Sequence, residues 1–596
     1  MRNAVAFANN DVVTIAWSYG TKPEGCMGFA LYRIDAKGKE TALPSHAVFP
    51  GMTIKPGQTT AQFPVQKFYW KDVYARLVGD QTGSYDFRYK VVPLEGKWNA
   101  LKPMASLPIL TTNEVTVSGV CSPSVTAIFN RGIISTQHVA QALKGTASKK
   151  KLLDMIQDPA NQLRKDLAGD ILKTLTDFVA RAKRNGKIYA ALYELTDVQL
   201  LQSLVDIGDR LNIVLANIVA KPTPGGSEET AGENDNAEMK LKPPTSAALL
   251  YRKPPSSHIV HNKFLIYVDR SGTEQAVLTG SCNWTDTGLC AQTNNSIVIE
   301  DPTVASRYMK YWNKLQADEA AHEEGKPFQD VPLRTFNGTG KNLSLDKETE
   351  DASTLTSYFS PNTERPRSKA KGKKEDPPVD MEDLRNRVLS AKNAVLFLAF
   401  IPGTPSITDF AAEAQKANKD LFVRGCVTSP DAAGEFEYVL KGTSPPKKQK
   451  GVKNPPAKQD PRVISADALG KTIPKGWQKE LLKAGFAITH DKIVVIDPFS
   501  DDCVVVTGSH NLGYQASYNN DENLLMIKGN KRLAMAYATH VLDVYDHFSW
   551  RWTVERGTST DANLKTKPDD WMKWYFDAKG NIKTAQLKFW MQATVE

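Results

Sequence analysis

The stretch Thr489–Asn523 sets histidine, lysine, serine and asparagine at spacings that suit a phosphate group. His490 and Lys492 stand two apart, so on a strand, where successive side chains alternate, they share one face. The apolar run Ile493–Ile496 and Asp497 follow, and a second apolar run ends at Thr507-Gly508-Ser509-His510-Asn511. An imidazole can attack phosphorus or carry a proton, and an ammonium supplies fixed positive charge. Ser509 and Asn511 are neutral hydrogen-bond donors, and the small residues let the backbone approach a ligand. A single His-x-Lys pair by itself reads as a core histidine on a buried strand.

The chain repeats the arrangement. HNKFLIYVD carries His261 and Lys263, and LTGSCNW carries Gly280, Ser281 and Asn283. From histidine to glycine is 19 residues in the first copy and 18 in the second. Asn283 to Asn295 and Asn511 to Asn523 are both 12. Phe129-Asn130-Arg131-Gly132 begins 132 residues before His261, and Phe359-Ser360-Pro361-Asn362 begins 131 before His490. A period of this length is a duplicated domain, not a solenoid unit.

His490-x-Lys492-x4-Asp497 followed by Gly508-Ser509-x-Asn511 resembles the HKD signature of the phospholipase D superfamily, and the first copy resembles it too. The similarity spans residues 120 to 555 or so. In the first copy Val268 stands five after Lys263 and the acid comes one later, at Asp269. Only His261, Lys263, Ser281 and Asn283 are therefore carried over there. The resemblance implies two half-domains about a pseudo-twofold axis, with both histidines and both lysines around one phosphate. It implies attack by one imidazole to give a phosphohistidine, protonation of the leaving oxygen by the other, and displacement by water or an alcohol. Neither cofactor nor metal is called for, since the lysines carry the positive charge.

Aligning the copies places Asn294 opposite Glu522, at a position that in this superfamily lies behind the catalytic imidazole. A carboxylate there favours imidazolium and suits an acid, whereas an amide orients the ring without raising its pKa. With Asn294 behind His261 and Glu522 behind His490, His261 is the expected nucleophile and His490 the expected acid.

The elements that must position these residues follow from the apolar periodicity. Residues 1–118 read as strands (Val12–Trp17, Gly28–Ile34, Tyr85–Val91) with no helical period, a small immunoglobulin- or fibronectin-like sandwich. Its expected role is packing or docking against a partner that the sequence does not name. Residues 119–340 and 355–555 alternate strand and helix, which predicts two halves of an α/β sandwich. Helices are expected at Gln137–Leu143, Leu163–Lys183 and Asp197–Leu211. Buried strands are expected at Val125–Phe129, Ile188–Leu192, Ala394–Ile401 and Leu421–Val427. An acidic insert (220–244) reads as a mobile surface loop. Two basic, proline-containing inserts (363–378 and 444–460) read as solvated loops or as collectors of nucleic acid or anionic lipid. The first holds Arg365, Arg367, Lys369, Lys371, Lys373 and Lys374. The helical tail 556–596 carries Trp571, Trp574 and Trp590, expected to cap a core.

At 596 residues the chain needs several cores. Its longest apolar run, AVLFLAFI, is too short for a membrane span, and the first residues show no secretory apolar region. Six cysteines form no close-spaced metal pattern and no disulfide framework, so a cytoplasmic setting is expected, peripheral to a membrane at most. Net charge +9 favours an anionic partner, including an anionic membrane surface. The expected substrate is a phosphodiester. A glycerophospholipid headgroup cleaved or transferred is the leading reading, and a nuclease or other nucleic-acid phosphodiesterase is the alternative. A non-catalytic binding platform comes third.

Overall fold

Strands buried on both faces lose the polar alternation of a surface strand and become continuous apolar runs. AVLFLA, IVVI and VVVTG are such runs, and Ala394–Ala399, Ile493–Ile496 and Val504–Gly508 form central strands of one sheet. The computed structural model describes residues 4–45, 47–53, 55–132, 149–217, 233–253, 258–321, 331–367, 376–444, 459–466, 488–555, 563–576 and 582–593. It is a mixed α/β structure preceded by an all-β region.

Two eight-stranded mixed sheets carry the duplication. The first runs Val120–Ser122, Val125–Phe129, Asn295–Ile299, Glu274–Gly280, Lys263–Val268, Lys187–Leu192, Leu211–Ala216, Ala248–Arg252. The second runs Lys341–Leu345, Ser353–Ser360, Glu522–Lys528, Val504–Gly508, Ile493–Ile496, Ala394–Ala399, Phe422–Val427, Val463–Ser465. Place for place the orders are the same, and in both the last three strands are parallel and the rest antiparallel.

The halves meet through equivalent residues. Gln292–Thr293 pairs in parallel with Ile488–Thr489, and Val260 bridges Asp521. Asn295 donates to Thr507 Oγ1 (2.7 Å) and to the Tyr537 hydroxyl, while Asn523 Oδ1 accepts from Thr279 Oγ1 (2.8 Å) and the Tyr308 hydroxyl. Tyr308 and Tyr537 occupy matching places on Pro302–Ala320 and Lys531–Glu555, the long helices that follow the last strand of each half. One apolar core takes in the first half and the facing side of the second sheet; a second core lies under the helices on that sheet's far side.

The amino-terminal region holds two antiparallel sheets facing each other over Val13, Ile15, Trp17, Phe29, Leu31, Phe87, Tyr89 and Val91. One helix, Ala75–Thr82, departs from the expectation of strands alone. It buries Ala75 and Gly79 and stops at Gly83, which takes the left-handed conformation (φ 76). The tail packs back on this region: Trp571 and Trp590 are buried, the Trp571 indole donates to Cys26 O, and Trp574 is exposed.

Three further expectations need correction. The helix expected over Leu163–Lys183 is broken into Gln162–Ala168 and Asp170–Arg184 by Gly169, whose φ of 53 and ψ of −140 leave helical space. Asp197 is an N-cap, accepting from Gln199 and Leu200, and its helix ends at Val205 before a short 3-10 turn. The acidic insert is not wholly loop: Asp235–Leu241 is helical and Asn234 is buried. Residues 220–232, the helix expected at Gln137–Leu143, and Lys369, Lys371, Lys373 and Lys374 lie outside the described residues. Among the described residues no helix is long and apolar enough to cross a membrane.

Candidate active site

Each motif histidine stands two or three residues before a buried strand, Lys263–Val268 or Ile493–Ile496, and the glycine of each Gly-Ser pair closes the neighbouring one. Gly280 and Gly508 have φ of 147 and 141, and a Cβ on either would meet the carbonyl of Asn295 or Asn523 at 2.3 Å. Only glycine lets these strands lie so close to the strand that carries the next site residues. His261, Lys263, His490 and Lys492 are all buried. Each lysine turns back on its own histidine: Lys263 Nζ donates to His261 O (2.8 Å) and Lys492 Nζ to His490 O (2.6 Å).

The ring partners cross between the halves. His490 Nδ1 lies 2.9 Å from Asn294 Oδ1, and His261 Nδ1 lies 3.1 Å from Ser509 O and 3.2 Å from Glu522 Oε2. The backbone imposes this exchange. His490 N donates to Thr293 O and His261 N to Asp521 O, each the residue just before the one behind the ring. The expectation that Asn294 backs His261 and Glu522 backs His490 is therefore corrected: each half holds the other half's imidazole. Both contacts engage Nδ1, so Nε2 is left to a substrate.

The serines also differ from expectation. Ser281 Oγ donates to Asn294 Oδ1 (2.8 Å), and Ser509 Oγ accepts from Asn523 N (3.0 Å) and Nδ2. Both are fully buried: Ser281 holds Asn294, the partner of His490, and Ser509 holds Asn523, the neighbour of Glu522. Asn283 is buried and Asn511 half-buried. Asp497 is structural as well. It has φ 47 and its carboxylate accepts from Lys392, Asn393 and Ala394 backbone N–H groups at 2.7–2.8 Å, fixing the start of the adjacent strand. Asp269 does not take that place; its carboxylate closes the Asp269–Thr273 turn.

Three residues of the site carry no signal in a short motif. Tyr193 lies 5.0 Å from the His261 ring and 4.9 Å from Lys263 Nζ; Phe400 lies 5.0 Å from His490 and 5.3 Å from Lys492 Nζ. Both immediately follow a central buried strand, Lys187–Leu192 or Ala394–Ala399, and that shared place is readable by aligning the copies. The third is Glu194, next to Tyr193, whose carboxylate accepts from Asn283 Nδ2.

Burial sets the protonation. Both imidazoles are held well below their ordinary pKa, first by desolvation and then by both lysines. Desolvation lowers Lys263 to about 8 and Lys492 well below its usual value, and it raises Glu522. Burial thus opposes charge on both imidazoles and on both lysines, a cost that an arriving anion would offset. Among the described residues no group of three or more His, Cys, Asp or Glu side chains is placed to hold a metal ion.

A family model described as cardiolipin synthase, PLD-like domain, matches residues 175–316 and 448–545, one segment around each motif. No curated protein matches the sequence. Among solved structures, phosphatidylserine synthase from Haemophilus influenzae Rd KW20 is similar at 10% identity and a TM-score of 0.38, over 62% of this chain and 84% of that one. Polyphosphate kinase from Porphyromonas gingivalis is similar at 9% and 0.34, over 91% and 76%. Yeast tyrosyl-DNA phosphodiesterase is similar at 12% and 0.30, over 61% and 88%.

Proposed function

We propose that this chain, which belongs to the phospholipase D superfamily and carries its domain in two segments, cleaves or transfers a glycerophospholipid phosphodiester through a phosphohistidine. The observation that carries this reading is the crossed support of the two histidines, each with Nδ1 held by the opposite half. Nε2 of His261 attacks phosphorus, while His490, which takes up a proton from solvent as the anionic substrate binds and so carries hydrogen on both ring nitrogens, gives its Nε2 proton to the departing alkoxide. Lys263 and Lys492 neutralise the non-bridging oxygens, and Asn283 and Asn511 donate to them. Water or an alcohol then enters from the His490 side, loses its proton to His490, and displaces His261.

The crossing supports the same roles on a different ground from the one the sequence suggests. Only interactions that strengthen in the transition state accelerate a reaction. Positive charge grows on the attacking imidazole as the N–P bond forms and fades on the acid as its proton leaves. A carboxylate 3.2 Å from His261 gains energy in that step, and beside His490 it would lose it. His261 is thus the nucleophile, Glu522 its charge partner, and Asn294 the neutral orienter of the acid.

A lipid substrate agrees with the family to which the matching domain belongs and with the exposed apolar Ile401 beside Phe400 and Ile259 two residues before His261. Purified protein in excess EDTA is expected to release headgroup from phosphatidylcholine vesicles and to leave single- and double-stranded DNA intact. Activity that disappears with chelator and returns with zinc or magnesium would refute a site run by lysine and histidine alone.

The nucleic-acid reading keeps one observation of its own: Arg367, at the start of the basic insert, donates to Thr404 O in the loop that follows Phe400. Under it, changing Lys369, Lys371, Lys373 and Lys374 to Ser weakens DNA binding and flattens its salt dependence. An unchanged salt slope returns the insert to a solvated loop.

The lysine pKa gives a pH test. Lys263 is cationic below about 8 and loses its charge above it, so kcat/KM is expected to fall as pH rises through that value. Measured on a p-nitrophenyl diester, which needs no acid, the profile isolates this limb from that of His490. A flat profile to pH 9.5 rules out a binding role for the Lys263 charge.

A further inference from the structure

The duplication supplies its own control for Glu194. Leu192 and Ala399 end equivalent strands, Tyr193 and Phe400 cover equivalent histidines, and the next residues are Glu194 and Ile401. One side of the site therefore has a carboxyl where the other has an exposed apolar side chain. The proposed reaction uses two histidines for its protons and leaves Glu194 without a part.

Glu194 is half-buried, and it shares the amide of Asn283 with the place assigned to the phosphate. The groups that face it are Lys263 and Lys492, both attractive, and Glu233, which repels it. An ionised carboxylate within one amide of a phosphate anion would oppose substrate binding. Resting on the reading of this space as a phosphate site, we propose that Glu194 is a further substrate-contacting residue: it takes one proton from solvent when the anion binds and donates it as a hydrogen bond to a non-bridging oxygen. Before the anion arrives the carboxylate is balanced by Lys263 and held by Asn283. Once the anion takes over the lysines, that balance is lost and the proton replaces it. Burial already raises this carboxyl to about 7, so the proton is available near neutrality.

Sulfate is the probe, since it is tetrahedral and stays dianionic from pH 6 to 9, so every proton taken up belongs to the protein. Calorimetry in buffers of different ionisation enthalpy is expected to show wild type binding up to about one proton more at pH 8 than Glu194→Gln. The glutamine keeps an acceptor for Asn283. Wild-type affinity should also fall about tenfold more than that of the variant between pH 6 and pH 8. Equal proton uptake and equal pH slopes in the two proteins overturn the role of Glu194. Sulfate that fails to bind wild type, or binds Lys492→Met equally well, overturns the phosphate site itself, a failure distinct from the first.

Discussion

His261→Ala is expected to abolish turnover of every phosphodiester, whereas His490→Ala loses about 10²- to 10⁴-fold on an alkyl ester and regains most of its first step on a p-nitrophenyl ester. The difference follows from what each ring must do. Without His261 no N–P bond forms, and a better leaving group cannot replace a nucleophile. Without His490 attack remains intact and only the proton for the departing oxygen is missing, which nitrophenolate does not need. The same variant also lacks the base for the second step. It should release a burst of nitrophenolate and then stall as a phosphohistidine, visible as added mass on the intact chain at neutral pH. Rescue of His261→Ala by the activated ester, with none for His490→Ala, would reverse the two roles.

Much of this site is legible in the sequence because the fold buries it. Ile493–Ile496 and Lys263–Val268 lie in mid-sheet, so their apolar runs mark strands, and the polar residues that interrupt such runs need a reason to be there. Two copies in register turn that reason into a shared site. What the sequence could not disclose is which half serves which. Asn294 and His490 are 196 residues apart, and their contact exists only because Gln292–Thr293 docks on Ile488–Thr489. Alignment finds equivalent residues but not the exchange of partners that a twofold axis produces. The serines fail for a related reason. Gly280 and Gly508 bring the following serine against the neighbouring strand, where the side chain holds Asn294 or Asn523. The break at Gly169 and the helix at Ala75–Thr82 are tertiary choices that local periodicity does not rank.

Glu522→Gln tests the crossing directly. The carboxylate of Glu522 is fully buried, and Asn520 donates to its Oε1 while Oε2 lies against His261. The glutamine keeps the shape and removes the charge that meets the cation developing on His261. A loss of about 10²- to 10³-fold in kcat is expected, the scale of removing one preorganised electrostatic contact from a dry site. Because the deficit lies in attack, alkyl and p-nitrophenyl esters should suffer alike. Asn294→Asp should act on the other ring. A new carboxylate behind His490 stabilises its imidazolium and raises its pKa, so the descending limb of the alkyl-ester pH profile moves to higher pH. It also makes His490 a poorer acid at its optimum, so the gain in range comes with a lower maximum rate. Under the arrangement expected from alignment alone, with Glu522 behind the acid, Glu522→Gln would instead move that limb to lower pH and be rescued by nitrophenolate. Rescue of Glu522→Gln by the activated ester would therefore put the carboxylate in the service of the acid, make His261 the proton donor, and leave His490 to attack.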